Sequence, residues 1–154
     1  MIIEKALVTD SHQISELLSN YYSTLNKQIG SDYYNTDLDV MKKHVMERLM
    51  NNQSIYKYFV CRSSEGAIDF LGFANISVEK NRGGLLILLL TEAGASIDSQ
   101  ENITKKLVEY TLNFFKENSI SMIKTELSDD EKDLLNIIES LGGKRISTNY
   151  LIKQ

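Results

Sequence analysis

The chain has 154 residues, of which 42% are hydrophobic and 25% charged. Chains rarely divide below about 250 residues, and one of this size and composition buries roughly 70% of its unfolded surface. One globular domain over residues 1–154 is therefore expected, and disorder, collagen-like repeats and coiled coil are excluded. With 17 Lys and Arg against 21 Asp and Glu the net charge is −4; since no basic run exceeds two residues, no nucleic-acid partner is expected.

Cys61 is the one cysteine, so no internal disulfide forms. With His12 and His44 far apart in sequence, no zinc-ligand spacing exists. No metal and a reduced, cytoplasmic setting are expected. Cys61 reads as a small residue in a half-buried strand, with a reactive thiol as the alternative; the two histidines read as solvated. The longest strongly apolar run, residues 85–90, is about a third of a membrane-spanning helix, and the first residues lack the apolar stretch of a signal peptide. No membrane partner follows from either.

Residues 2–8 open as a strand. Ile14, Leu17, Leu18, Tyr21, Tyr22 and Leu25 then recur at helical spacing on one face, and Asp10 with Gln13 forms a capping box. After a loop over residues 30–36, Leu38, Met41, Val45 and Leu49 mark a second amphipathic helix begun by Thr36 or Asp37.

The period then shortens. Residues 56–62, 70–78 and 85–90 read as three strands joined by short connections at 63–66 and 81–84, which favours an antiparallel meander. The third is apolar on both faces, as expected mid-sheet under helices on both sides. Ile103, Leu107, Tyr110, Thr111 and Phe114 recur helically over 102–118, and residues 120–127 read as a strand, which gives a parallel crossover unit. Ser128 with Glu131 forms a capping box before Leu134, Leu135, Ile138 and Leu141, Gly142 is a left-handed stop, and Ile146, Thr148, Tyr150 and Ile152 alternate as a last strand.

This order of elements resembles the GNAT superfamily of acyl-CoA-dependent N-acyltransferases over the whole chain. Three stretches carry the resemblance: Leu71-Gly72-Phe73-Ala74 resembles the family's third strand, Ile103-Thr104-Lys105-Lys106-Leu107-Val108 the start of its cofactor helix, and Leu141-Gly142 the stretch after its fourth helix. The resemblance implies an α/β fold, an α+β mixed sheet that is mostly antiparallel, splayed at its centre and flanked by helices. It implies an N-acetyltransferase that moves an acetyl group from acetyl-CoA to a primary amine. The alternative is a catalytically degenerate module of the same fold that serves binding or assembly.

Registering Leu107 on the family leucine places the pyrophosphate loop on Ser99, Gln100, Glu101, Asn102, Ile103 and Thr104, with Lys105 and Lys106 beside it. Backbone amides and a helix dipole bind the anion there; Asn102 and Thr104 stand where small residues are usual, so Thr104 crowds the phosphates. Ile138 occupies the place of the family's tyrosine acid. By resemblance Glu92 is the base, Tyr150 a candidate proton donor, and Ala93 and Gly94 the strand bulge whose amides meet the pantetheine; an ordinary turn is the alternative reading of Gly94. Tyr33 and Tyr34 lie where the acceptor pocket is built, and core packing claims at least one of Tyr21 and Tyr22. The expected partner is a small-molecule or peptide amine, and a homodimer is left open.

Overall fold

The computed structural model describes residues 2–62, 70–79, 82–88, 97–127, 131–146 and 152. Five strands, β1 (Ile2–Lys5), β2 (Tyr56–Arg62), β3 (Phe70–Glu79), β4 (Arg82–Leu88) and β5 (Met122–Thr125), lie in one sheet in the order β1-β2-β3-β4-β5. The first four are antiparallel, and β5 runs parallel to β4. Helices α1 (Ser11–Ile29), α2 (Leu38–Met50), α3 (Ile97–Glu117) and α4 (Lys132–Ser140) complete the fold, with α3 the crossover between β4 and β5. The 85–90 segment thus enters an interior strand, as its two-faced apolarity requires; residues 89 and 90 lie outside the described residues.

Side chains alternate across a strand, and β2 serves two cores in this way. Phe59 and Cys61 join Ile103, Leu107, Val108, Phe115, Leu134 and Ile137 beneath α3 and α4. Tyr58 and Val60 join Ile14, Leu17, Leu18, Met41 and Val45 beneath α1 and α2. The crossover helix comes close to β4 because Gly83 has no side chain: a Cβ there would meet the Phe115 ring at 2.5 Å.

Element ends differ from the expectations where local hydrogen bonds intervene. The first strand ends at Lys5 because the chain turns: the Leu7 amide donates to the Asp10 carboxylate (2.7 Å), and Val8–Asp10 form a 3-10 turn. Asp10 makes no side-chain cap bond to α1, which runs on to Ile29 and stops at Gly30 in the left-handed region (φ 60°). Asp37 caps α2 by accepting from the Val40 amide. Arg82, Gly83 and Gly84, expected in a connection, pair instead with Glu79, Val78 and Ser77, so the hairpin tightens. Glu131 stands at the cap of α4, not three residues inside it, and Ser128 lies outside the described residues.

The buried face of α4 is Leu134 and Ile137, with Ile138 packed against them, while Leu135 and Leu141 are exposed. Gly142, at φ 87°, ends the helix as expected; its amide donates to the Glu139 carbonyl and that of Gly143 to the Ile138 carbonyl. Ile146 and Ile152 are exposed and in no strand, and Thr148 and Tyr150 lie outside the described residues.

Candidate functional site

The parallel pair parts at its carboxyl end. β4 and β5 are in register from Arg82 opposite Met122 to Leu85 opposite Thr125, yet β4 continues to Leu88 against β3. Among the described residues no strand faces the other edge of Leu86–Leu88. Open α/β sheets bind ligands outside the carboxyl ends of parallel strands, where neighbouring strands diverge. Glu126 follows β5 directly, in an exposed ion pair with Lys124 (2.8 Å), and Glu131 stands at the start of α4. The α1 helix reaches across to β4 and brings Tyr21 within electrostatic range of both carboxylates.

Tyr21 begins a run of rings. Its ring meets that of Tyr22 edge-on (5.4 Å between centroids), Tyr22 stacks on Tyr34 (5.1 Å), and Tyr34 meets Tyr33 edge-on (5.0 Å). Such pairs add about 0.5–1.5 kcal/mol beyond area burial. The 30–36 loop that carries Tyr33 and Tyr34 is pinned to α1. The Asn26 amide group donates to the Tyr34 carbonyl and accepts from the Tyr34 amide, both at 2.9 Å, and the Ser19 hydroxyl donates to the Thr36 carbonyl at 2.8 Å. Tyr33 is 65% exposed and lines an open depression of about 700 Å³ with Asn26, Lys27, Asp32 and Thr36.

Arg48 closes the inner end of this cluster. Its guanidinium lies 3.8 Å from the centroid of the Tyr56 ring and donates to the Tyr58 hydroxyl at 3.0 Å. Burial pushes the Tyr22 and Tyr58 phenols up from their ordinary value, and Arg48 partly offsets this at both. Burial also raises the Tyr21 phenol, and the Glu131 carboxylate adds to the effect. Neither Arg48 nor Asn26 stood out in the sequence. Asn26 falls beyond Leu25, the last apolar position of the first helix, and Arg48 belongs to an apparent wet face.

Glu92, Ala93, Gly94 and Tyr150 lie outside the described residues. Ser99, Gln100, Glu101, Asn102, Ile103, Thr104 and Lys105 all fall inside α3, which begins five residues earlier than the 102–118 expectation. A helix leaves only the amides of its first turn unpaired. The unpaired amides therefore belong to the turn that starts at Ile97, and those from Glu101 onward are used within the helix. Ile103 and Thr104 are buried, whereas Glu101, Asn102, Lys105 and Lys106 are exposed; Thr104 faces the core, not a phosphate.

Ile138, in the place of the tyrosine acid, packs on the α3 and α4 core. Cys61 is fully buried, and burial pushes its thiol up, which suits an inert residue. His12 is exposed and faces Glu16 (3.4 Å), and His44 is exposed. Among the described residues no cluster of three His, Cys, Asp or Glu could hold a metal, and no helix is long and apolar enough to cross a membrane.

No protein-family model and no curated protein matches the sequence. Solved structures do match the fold. A Bacillus halodurans protein superposes with a TM-score of 0.75 at 14% identity, covering 100% of this chain and 99% of its own. A ribosomal-protein-alanine N-acetyltransferase from Brucella melitensis gives 0.65 at 14% identity and covers 100% of both chains. A possible acetyltransferase from Clostridium difficile 630 gives 0.66 at 18%, over 99% and 96%. The mixed sheet, its parallel pair and its flanking helices are the GNAT-type acetyltransferase fold.

Proposed function

We propose that this chain is an acyl-CoA-dependent N-acetyltransferase, one cytoplasmic domain that moves an acetyl group from acetyl-CoA to a primary amine of a small molecule or peptide. The parting of β4 from β5 after Leu85 carries this reading. The edge of β4 at Leu86–Leu88 offers backbone donors and acceptors to the amide-rich pantetheine arm. The crossover puts the first turn of α3 at the same end of the sheet, where its amides and dipole suit the pyrophosphate. Lys105 and Lys106, exposed two turns along, add positive charge, and Ala93, Gly94 and Glu92 precede that turn in the chain. Glu92 is the proposed base.

The acceptor enters from the tyrosine side, with Tyr33 and Tyr34 as its contacts. Acyl transfer of this kind needs no covalent enzyme intermediate; the work is to hold amine and thioester in attack geometry and to move protons. Calorimetric titration with acetyl-CoA, followed by thiol release across a panel of amines, tests the proposal. Saturable binding with amine-dependent thiol release is expected. No heat and no release would leave a binding or assembly module on the same fold.

A further inference from the structure

Arg48 carries a charge that no carboxylate among the described residues answers. Its guanidinium lies over the Tyr56 ring, 3.8 Å from the centroid, and donates to the Tyr58 hydroxyl at 3.0 Å. A guanidinium has five N–H donors, yet among the described residues this is the one hydrogen bond Arg48 makes, and no ion pair there includes it. The group is half-buried, where polar atoms usually find partners. Ring and hydroxyl together fix the plane of the guanidinium, so its free edge is set before any ligand arrives.

The sheet register sets this group beside the splay. Tyr58 pairs with Asn75 in β3, and Asn75 pairs with Leu86 in β4, the first residue beyond the stretch of β4 that β5 covers. Adjacent strands lie about 4.8 Å apart, which puts the Tyr58 backbone about 10 Å from the open edge of β4. Tyr58 also belongs to the core under α1 and α2 against which Tyr22 packs, and Tyr22 stacks on Tyr34. The charge of Arg48 reaches the Tyr22 phenol as well, where it offsets part of the effect of burial. Arg48 is therefore flanked by the open strand edge on one side and by the tyrosine rings on the other.

We infer that Arg48 selects acceptors that carry a carboxylate besides the amine, an assignment that rests on the acetyltransferase reading and names its substrate class. The edge of a guanidinium matches the two oxygens of a carboxylate with a pair of parallel N–H bonds. Holding that end at Arg48 leaves the amine of the same molecule to face the open edge of β4. Lys57, the neighbour of Tyr56 and Tyr58 on β2, donates its ammonium to the Asn52 carbonyl (3.1 Å), so Arg48 acts as a single positive charge. It balances a carboxylate, whereas a phosphomonoester of about −1.5 to −2 would stay undercompensated.

Pairs of primary amines that differ only in a carboxylate or its carboxamide, from 4-aminobutyrate to short peptides, test this through kcat/KM for thiol release from acetyl-CoA. Wild type should favour the carboxylate about 10–100-fold in at least one pair, the usual gain from hydrogen bonds to a charged group. Arg48→Gln should level that pair by slowing the carboxylate and sparing the carboxamide. Arg48→Lys, which keeps the charge and loses the fork, should show an intermediate preference, and melting curves confirm that both variants are folded. Equal rates within every pair, a preference that survives Arg48→Gln, a loss equal for both members, or faster transfer to O-phosphoethanolamine than to any carboxylate would overturn the assignment and leave the acetyltransferase standing. A wild type that releases no thiol with any amine would remove both.

Discussion

Alternate residues of β2 enter different cores, and the two cores end differently. Under α3 and α4, Phe59, Cys61, Phe115 and the aliphatic residues close on one another, and the buried Thr111 hydroxyl turns back to the Leu107 and Val108 carbonyls of its own helix. Under α1 and α2 the core grades into phenols: the Tyr58 hydroxyl meets Arg48, and the rings of Tyr21, Tyr22 and Tyr34 pack on one another. One face anchors the crossover; under the proposed function the other supplies the acceptor contacts Tyr33 and Tyr34. Substitutions on the first should therefore cost stability alone, and those on the second should also change what the cleft does.

The largest effect is expected at the anchor. Phe115 is fully buried, and Phe115→Ala should cost about 3–5 kcal/mol in urea unfolding. Gly83→Ala should cost about 1–3 kcal/mol, since its Cβ would collide with the same ring. Phe115→Leu combined with Gly83→Ala should recover part of the sum, because the two changes share one space. Strict additivity would mean that the close approach of α3 to β4 does not limit packing.

On the tyrosine face the expected signature is alkaline. Burial raises the Tyr58 phenol, so above about pH 10 the unfolded chain loses that proton while the folded chain keeps it, and stability falls with rising pH. Below pH 10 the contribution is intact. Tyr58→Phe removes the Arg48 bond and should cost about 1 kcal/mol at pH 7. Between pH 10 and 11 its deficit should narrow, because both proteins lose stability through Tyr21 and Tyr22 while wild type alone also loses the contribution of Tyr58. Parallel unfolding curves across that range would show that the phenol titrates alike in both states.

How much of this was legible follows from what each signal depends on. Periodicity found the interior strand, the crossover and the two-faced meander because hydrophobic spacing is set by burial. It missed the ends, which depend on single hydrogen bonds: Asp10 turning the chain after β1, or Gly83 and Gly84 paired in β4 where two glycines look like a turn. The same reliance on burial followed the apolar face of the first helix to Leu25 and overlooked Asn26, whose role is a bidentate grip on backbone. Arg48 lies off the Leu38, Met41, Val45 and Leu49 stripe that marks the second helix, and its partners, Tyr56 and Tyr58, lie on another element. The cofactor loop was registered on one leucine, and registry alone does not say where a helix starts.

Asn26 offers a second test on the tyrosine face. Asn26→Ala removes both bonds to the Tyr34 backbone and should cost about 1–2 kcal/mol. The sequence has 8 tyrosines and no tryptophan, so near-UV circular dichroism reports mainly on the packed tyrosines. That signal should weaken in Asn26→Ala and stay unchanged in Gly83→Ala. Equal loss in both would erase the distinction between the two faces.

The smallest effect returns to the anchoring face, at the far end of its helix. α1 and α3 both end on a left-handed residue, but α1 uses Gly30 at φ 60° and α3 uses Ser119 at φ 59°. There the Ser119 amide donates to the Lys116 carbonyl and the Ile120 amide to the Phe115 carbonyl, so the turn also fixes Phe115 over Gly83. A side chain in this region costs about 1–3 kcal/mol, and glycine returns about 0.5–1 kcal/mol of that as entropy lost on folding. Ser119→Gly should thus stabilise the protein by about 0.5–1 kcal/mol, raising Tm by about 1–4 °C in a chain of this size. Because the change lies in the apolar half, near-UV circular dichroism and acetyl-CoA affinity should stay as in wild type. A fall in Tm would mean that the serine side chain offsets its backbone strain, and altered acetyl-CoA binding would mean that the far end of α3 is coupled to the cleft.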